Sequence, residues 1–128
     1  MRVLLDTHIA LWAVTGSGKL TPEAVKAILD ADEVFVSAAS VWEIAIKRSL
    51  DKSNMPITSA KALQAFQDAG YRVLEVKAAH AVQVEQLPRI HKDPFDRMLV
   101  AQALCEPLTL ITRDAVVAQY SAAIMRVQ

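Results

Sequence analysis

Short runs of β-branched residues and leucine recur along this chain, separated by longer stretches whose apolar residues return at helical spacing. That alternation constrains the fold more than any single motif. Val3-Leu4-Leu5, Val34-Phe35-Val36, Val73-Leu74-Glu75-Val76 and Leu108-Thr109-Leu110-Ile111 are short and rich in strand formers, so each is expected to be a buried strand. Ile124-Met125-Arg126-Val127 is expected to add a last short one. Between them, Ala24, Ile28 and Leu29 are expected to share one helical face, as are Val41, Ile44 and Ala45, and Leu99, Ala103 and Leu104. Strands alternating with helices imply an α/β fold, a mostly parallel sheet covered by helices on both sides.

At 128 residues the chain is expected to be one domain, 1–128. Its 53% apolar and 22% charged content excludes a disordered chain, which lacks the hydrophobe to offset ordering entropy. The longest apolar stretch, Ile9–Val14, is far short of the roughly 20 residues of a membrane helix. Asp6 and His8 interrupt any signal-peptide core. The single cysteine, Cys105, has no internal partner, which points to a reducing cytoplasm. Fourteen basic against 14 acidic residues give zero net charge, which argues against a general nucleic-acid coat while leaving room for a local basic rim.

Two helix starts are explicit. Thr21-Pro22 offers an N-cap followed by proline at the first helical position, and Asp93-Pro94-Phe95-Asp96 repeats the arrangement. Polar Ser49–Thr58, with Pro56, is expected to be a surface loop between helices. Thr15-Gly16-Ser17-Gly18-Lys19-Leu20 imitates a phosphate-binding loop, but Ala13 stands where its first glycine belongs and Leu20 where its Ser or Thr belongs. It is read as a turn. Trp12 and Trp42 are expected in the core, with a hydrophobic partner groove as the alternative.

The informative residues are acids attached to apolar segments. Asp6 ends the first strand and Asp114 lies just beyond a later one; in an open parallel sheet, strand carboxyl ends form the ligand crevice. Glu43 sits in the first turns of a helix after Phe35-Val36-Ser37, and Asp96 in the first turn of the helix through Met98–Leu104. Taken singly, each acid also has a plain role. Asp6, Asp93 and Asp114 fit helix caps, Asp96 fits a helix dipole, and Glu43 fits a pair with Lys47 one turn on. Taken together, two carboxylates ~5 Å apart repel by about 3 kcal/mol at an effective dielectric near 20, so a cluster needs protons or cations. His8, His80 and His91 do not make a zinc-ligand spacing, and an all-oxygen set suits Mg²⁺ or Mn²⁺.

At these residues the chain resembles PIN domains, in particular the VapC-type toxin ribonucleases of bacterial toxin–antitoxin pairs. The resemblance runs from Val3 to Tyr120, through Leu4-Leu5-Asp6-Thr7-His8, Val36-Ser37-Ala38-Ala39-Ser40-Val41-Trp42-Glu43-Ile44, the segment His91–Ala103, and Leu110-Ile111-Thr112-Arg113-Asp114. It implies a three-layer α/β/α sandwich and a metal-dependent endoribonuclease. Asp6, Glu43, Asp96 and Asp114 match the family's acidic quartet, and Asp93 is an extra acid of the subgroup with Asp-Pro-Phe-Asp. Ala115-Val116-Val117 departs from relatives that carry another acid or a phenylalanine nearby, which weakens the case for a second metal. The implied reaction is hydrolysis of RNA to a 5′-phosphate and a 3′-hydroxyl. The implied partners are a cognate antitoxin and a second copy of the chain.

Lys47, Arg48, Arg89, His91, Lys92, Arg97 and Arg113 lie near these acids in sequence and are candidates to guide RNA phosphates, or else form solvated ion pairs. Arg97 and Arg113 are favoured because each adjoins a proposed ligand. Rival readings are a catalytically silent PIN-like binding module and a receiver-type phosphotransfer domain. The receiver lacks its phosphoacceptor, since the third strand runs Glu75-Val76-Lys77. A haloacid-dehalogenase phosphatase lacks a second acid at His8.

Overall fold

The computed structural model describes residues 1–127. Its strands are β1 (Arg2–Leu5), β2 (Glu33–Ser37), β3 (Arg72–Leu74), β4 (Thr109–Thr112) and β5 (Met125–Arg126). Its helices are α1 (Thr7–Thr15), α2 (Pro22–Asp30), α3 (Ala38–Leu50), α4 (Ser59–Asp68), α5 (Ala78–Gln86), α6 (Pro94–Cys105) and α7 (Ala115–Ala118). All five expected strands are present, displaced by two residues or fewer at most ends. They form one sheet in the order β3-β2-β1-β4-β5, with every pairing parallel.

Period-two alternation divides the core. Val3, Leu5, Val36 and Ile111 point to one face, where α1, α2, α3 and α4 contribute Ile9, Ala24, Ile28, Ile44, Ala62 and Phe66. Leu4, Phe35 and Leu110 point to the other, against Leu99, Val100, Ala103 and Val117 of α6 and α7. The result is the three-layer α/β/α sandwich. Each fully buried aliphatic side chain contributes about 1.5–3 kcal/mol to holding the layers together.

Both proline-marked helix starts form as expected. The Thr21 hydroxyl accepts the Ala24 N–H ahead of Pro22, and the Asp93 carboxylate accepts the Phe95 and Asp96 N–H groups ahead of Pro94. Gly16 closes α1 at φ 62°, where a side chain would be strained. The expected loop Ser49–Thr58 begins two residues later, because α3 runs on through Leu50; it is exposed from Asp51 to Asn54 and half-buried at Ile57 and Thr58, and Met55 is buried, its carbonyl accepting from Arg48 at 3.0 Å.

Three expected apolar contacts are corrected. Leu29 is 77% exposed and Leu104 47% exposed, although Ile28 and Ala103 beside them are buried. A helix lying on a sheet buries one stripe, and a residue one position on is rotated by about 100°, out of that stripe. Trp42 is not in the core but 63% exposed; it precedes inward-facing Glu43 and Ile44 and packs edge-on against Phe95 at 5.2 Å. Trp12 is half-buried. Among the described residues no helix is long and apolar enough to cross a membrane.

The strand order creates the site. The chain leaves β1 for β2 and β3 on one side, then returns to place β4 and β5 on the other. The carboxyl ends of β1 and β4 therefore flank a topological switch point, where such sheets open a crevice.

Candidate active site

Asp6 follows β1 directly, and its N–H donates to Ile111 O at 3.0 Å, extending the ladder to β4. It occupies the N-cap position of α1, yet its side chain makes no capping bond. Instead Oδ2 accepts the Thr112 hydroxyl at 2.6 Å. Burial raises the Asp6 carboxyl above its ordinary range, against the pull of that hydrogen bond.

Glu43 enters from α3 and is only 3% exposed. Its Oε1 accepts the Thr7 hydroxyl at 2.8 Å; that hydroxyl also pairs with the Ser40 hydroxyl at 2.8 Å. Its Oε2 accepts from Lys47 Nζ at 2.6 Å. The i,i+4 pair with Lys47 does form, but on a buried carboxylate. Removing one partner of such a pair costs far more than removing an exposed one. Burial works against the Lys47 charge, yet the Glu43 carboxylate, with Asp93 and Asp96, outweighs it and raises the ammonium above its usual range.

Asp93 caps α6 through Oδ1, at 2.8 Å from Phe95 N and 3.2 Å from Asp96 N. Asp96, in the first turn of α6, is pushed up to about 7, first by burial and then by the charges of Asp6 and Asp93, against the opposing pull of His91. Asp114 caps α7, accepting Val116 N–H at 2.8 Å. Burial pushes Asp114 up, but that N–H, the His91 ring and the Val117 N–H together hold it below the usual range.

His91 ties the last two acids together. Its Nδ1 accepts Asp93 N–H at 3.1 Å, which puts the proton on Nε2, at 3.1 Å from Asp96 Oδ2 and 3.3 Å from Asp114 Oδ2. Coordinating atoms of His91, Asp96 and Asp114 lie within 4.8 Å of one another. The His91 loop is pinned by Arg97, whose guanidinium donates to Pro88 O at 3.1 Å, Val84 O at 3.0 Å and the Tyr120 hydroxyl at 3.1 Å. The Tyr120 hydroxyl in turn accepts the His91 N–H at 2.8 Å.

All five acids line one open cleft of about 540 Å³, with Lys47, His91 and Arg113 on its walls. Of the other basic residues expected there, Arg97 is spent on the His91 loop and Lys92 is exposed; neither lines the cleft. Sequence reasoning gave no role to Thr7, Ser40, Thr112 or Tyr120. For the first three a signal was present: a hydroxyl residue sits one to three positions from each of Asp6, Glu43 and Asp114.

This donor set fits a hard divalent cation. Carboxylate oxygens of Asp96 and Asp114 lie within 4.8 Å, where two unit charges repel by about 3.5 kcal/mol or more at an effective dielectric of 20, and the cleft sets five acids against the Lys47 ammonium, the Arg113 guanidinium and the His91 N–H. Part of the strain is relieved by leaving Asp96 protonated near neutral pH. A cation bound by oxygen ligands relieves it more completely.

Comparisons with known proteins identify the fold and the family. The family model described as PIN domain matches residues 3–123. Ribonuclease VapC22 of Mycobacterium tuberculosis is 31% identical over 113 residues, covering 88% of this chain and 86% of that protein. Among solved structures, VapBC2 from Rickettsia felis, bound to a DNA fragment from its promoter, superposes with a TM-score of 0.72 at 14% identity, over 99% of this chain and 98% of that one. A toxin–antitoxin complex from Klebsiella pneumoniae gives 0.67 at 18% identity, over 96% and 95%.

Proposed function

Because this chain belongs to the PIN domain family, we propose that it is a divalent-metal-dependent endoribonuclease and the toxin of a toxin–antitoxin pair. The observation that carries the proposal is the convergence of Asp6, Glu43, Asp96 and Asp114, from four separate segments, on one cleft at the switch point of the sheet. The name ribonuclease of the relative from M. tuberculosis and the toxin–antitoxin complex from K. pneumoniae support the reaction and the partner.

Asp6 and Asp96 would hold Mg²⁺, or Mn²⁺, directly, with Glu43 and Asp114 reaching it through water or orienting the attacking water; Asp93 has one oxygen committed to capping. When bound, the ion neutralises the scissile phosphate and makes water a better nucleophile. The protein's own groups fix the geometry. Thr112 aims Asp6, Thr7 and Lys47 hold Glu43, and His91 keeps Asp96 and Asp114 together. Arg113 and Lys47 draw phosphate oxygens into a cleft that is otherwise repulsive to them. The products are a 5′-phosphate and a 3′-hydroxyl. We take the chain as one PIN-like domain acting in the cytoplasm as a homodimer, neutralised by its antitoxin.

The test has two arms. Purified protein with Mg²⁺ or Mn²⁺ is expected to cleave RNA, and Asp96→Asn to abolish cleavage while remaining folded. Expression alone is expected to arrest growth, relieved by the product of the neighbouring gene and abolished by Asp6→Ala. Cleavage by folded Asp96→Asn protein, or growth unaffected by expression, overturns the reading in favour of a silent module.

A further inference from the structure

We propose that Trp12, with His8, Lys19 and Arg113, forms a nucleotide subsite that seats a base of single-stranded RNA beside the acid cluster. This rests on the ribonuclease reading above and adds to it a residue that determines binding.

Trp12 lies on α1, one helical turn from His8, and their rings sit 5.8 Å apart. Both side chains line the acid cleft. Both also line a second cleft of about 690 Å³, which continues past Leu11, Met55 and Ile57. The two hollows thus adjoin, and His8 and Trp12 form the wall they share. There the Trp12 indole is half-buried and the His8 imidazole is exposed.

Two cations rest on the same indole. Arg113 Cζ is 5.1 Å from a Trp12 ring centroid and Lys19 Nζ is 5.7 Å away. Lys19 arrives there from the turn that imitates a phosphate-binding loop. Gly16 and Gly18, at φ 62° and 75°, bend that turn back toward α1. Neither residue has a carboxylate partner among the described residues within salt-bridge distance. A cation resting on an exposed ring face is weakly held, whereas a phosphate gives it a charge-assisted hydrogen bond. When a nucleotide enters, Arg113 and Lys19 move from ring to phosphate, and the uncovered indole takes the base.

Stacking on an aromatic face, backed by cations tracking the backbone, is how single strands are held without base-edge readout. An apolar peptide in the second cleft would use Leu11, Met55 and Ile57 but would leave the two cations unanswered. The paired cations and the junction with the acid cleft favour RNA.

The test uses Trp42→Phe protein, in which Trp12 is the remaining tryptophan. Short single-stranded RNA is titrated in with Ca²⁺, and an abasic nucleotide is walked along the oligomer. RNA is expected to quench Trp12 fluorescence. Trp12→Ala, followed by labelled RNA, is expected to weaken binding roughly 10- to 100-fold, and Trp12→Phe, which keeps the stack and the fold, by about threefold. At one oligomer position the abasic change and Trp12→Ala are expected not to add. Quenching without cleavage in Mg²⁺ supports the subsite while removing the ribonuclease reading. Cleavage with no quenching, or equal losses for Trp12→Ala and Trp12→Phe, overturns the subsite and leaves that reading intact.

Discussion

Replacing Asp96 with asparagine is expected to make the metal-free protein more stable, not less. The Asp96 carboxyl is held at about 7 in the folded chain against 3.8 ordinarily, chiefly by burial and then by Asp6 and Asp93. A folded-state pKa above the unfolded one means that the folded chain binds more protons between these values. Stability therefore falls as pH rises from about 4 to 7, and the deficit persists above 7. At about 1.4 kcal/mol per pH unit the upper bound is about 4 kcal/mol, which solvent reaching the open cleft reduces to roughly 1–3 kcal/mol. Asp96→Asn removes that charge at almost constant volume, and His91 keeps Asp114 as a partner. In EDTA at pH 8 the variant is expected to melt roughly 5–10 °C above wild type, and near pH 4 the difference should vanish. Mg²⁺ is expected to stabilise wild type and leave the variant unmoved. A variant that melts below wild type at pH 8 in EDTA, or gains equally at both pH values, would refute this electrostatic argument.

Thr112→Val removes the hydroxyl that donates to Asp6 and accepts the Asp114 N–H; it is expected to cost about 1–3 kcal/mol in chemical denaturation and to lower kcat for RNA at least tenfold. Lys47→Met leaves the buried Glu43 carboxyl without its cation; because Lys47 itself is partly exposed, the expected cost is about 1–3 kcal/mol, and adding Glu43→Gln is expected to recover most of it in the melting curve. Arg97→Ala frees the loop from Leu87 to Lys92, so amide exchange there should quicken and kcat should fall more than KM changes; an effect confined to KM would instead make Arg97 an RNA contact.

The layered fold was legible because a parallel sheet buried on both faces writes short apolar runs between helical periods, and each run found its strand. Asp6 and Asp114 were placed by the same rule, since strand ends in such a sheet share an edge. Asp93 and Asp114 show that capping and cleft lining coexist: one oxygen of each takes helix N–H groups while the residue still borders the cleft. The misplaced residues share a different cause. Leu29, Leu104 and Trp42 each adjoin a buried helix position, and a local apolar pattern does not fix the helix phase within one residue. Arg97 adjoins Asp96 in sequence but leaves the helix at another angle, toward carbonyls that only the folded chain brings near. The hydroxyls of Thr7 and Thr112 gain meaning only from partners 36 and 106 positions away.

The central claim is that four acids from distant segments form one divalent-cation site. Anomalous diffraction from crystals soaked in Mn²⁺ tests it directly. A peak is expected in the cleft at about 2.1–2.2 Å from carboxylate oxygens of Asp6 and Asp96, a distance typical of small hard cations, and it is expected to be lost in Asp96→Asn. Manganese bound only elsewhere on the surface, or a peak in the cleft that persists without Asp96, contradicts it.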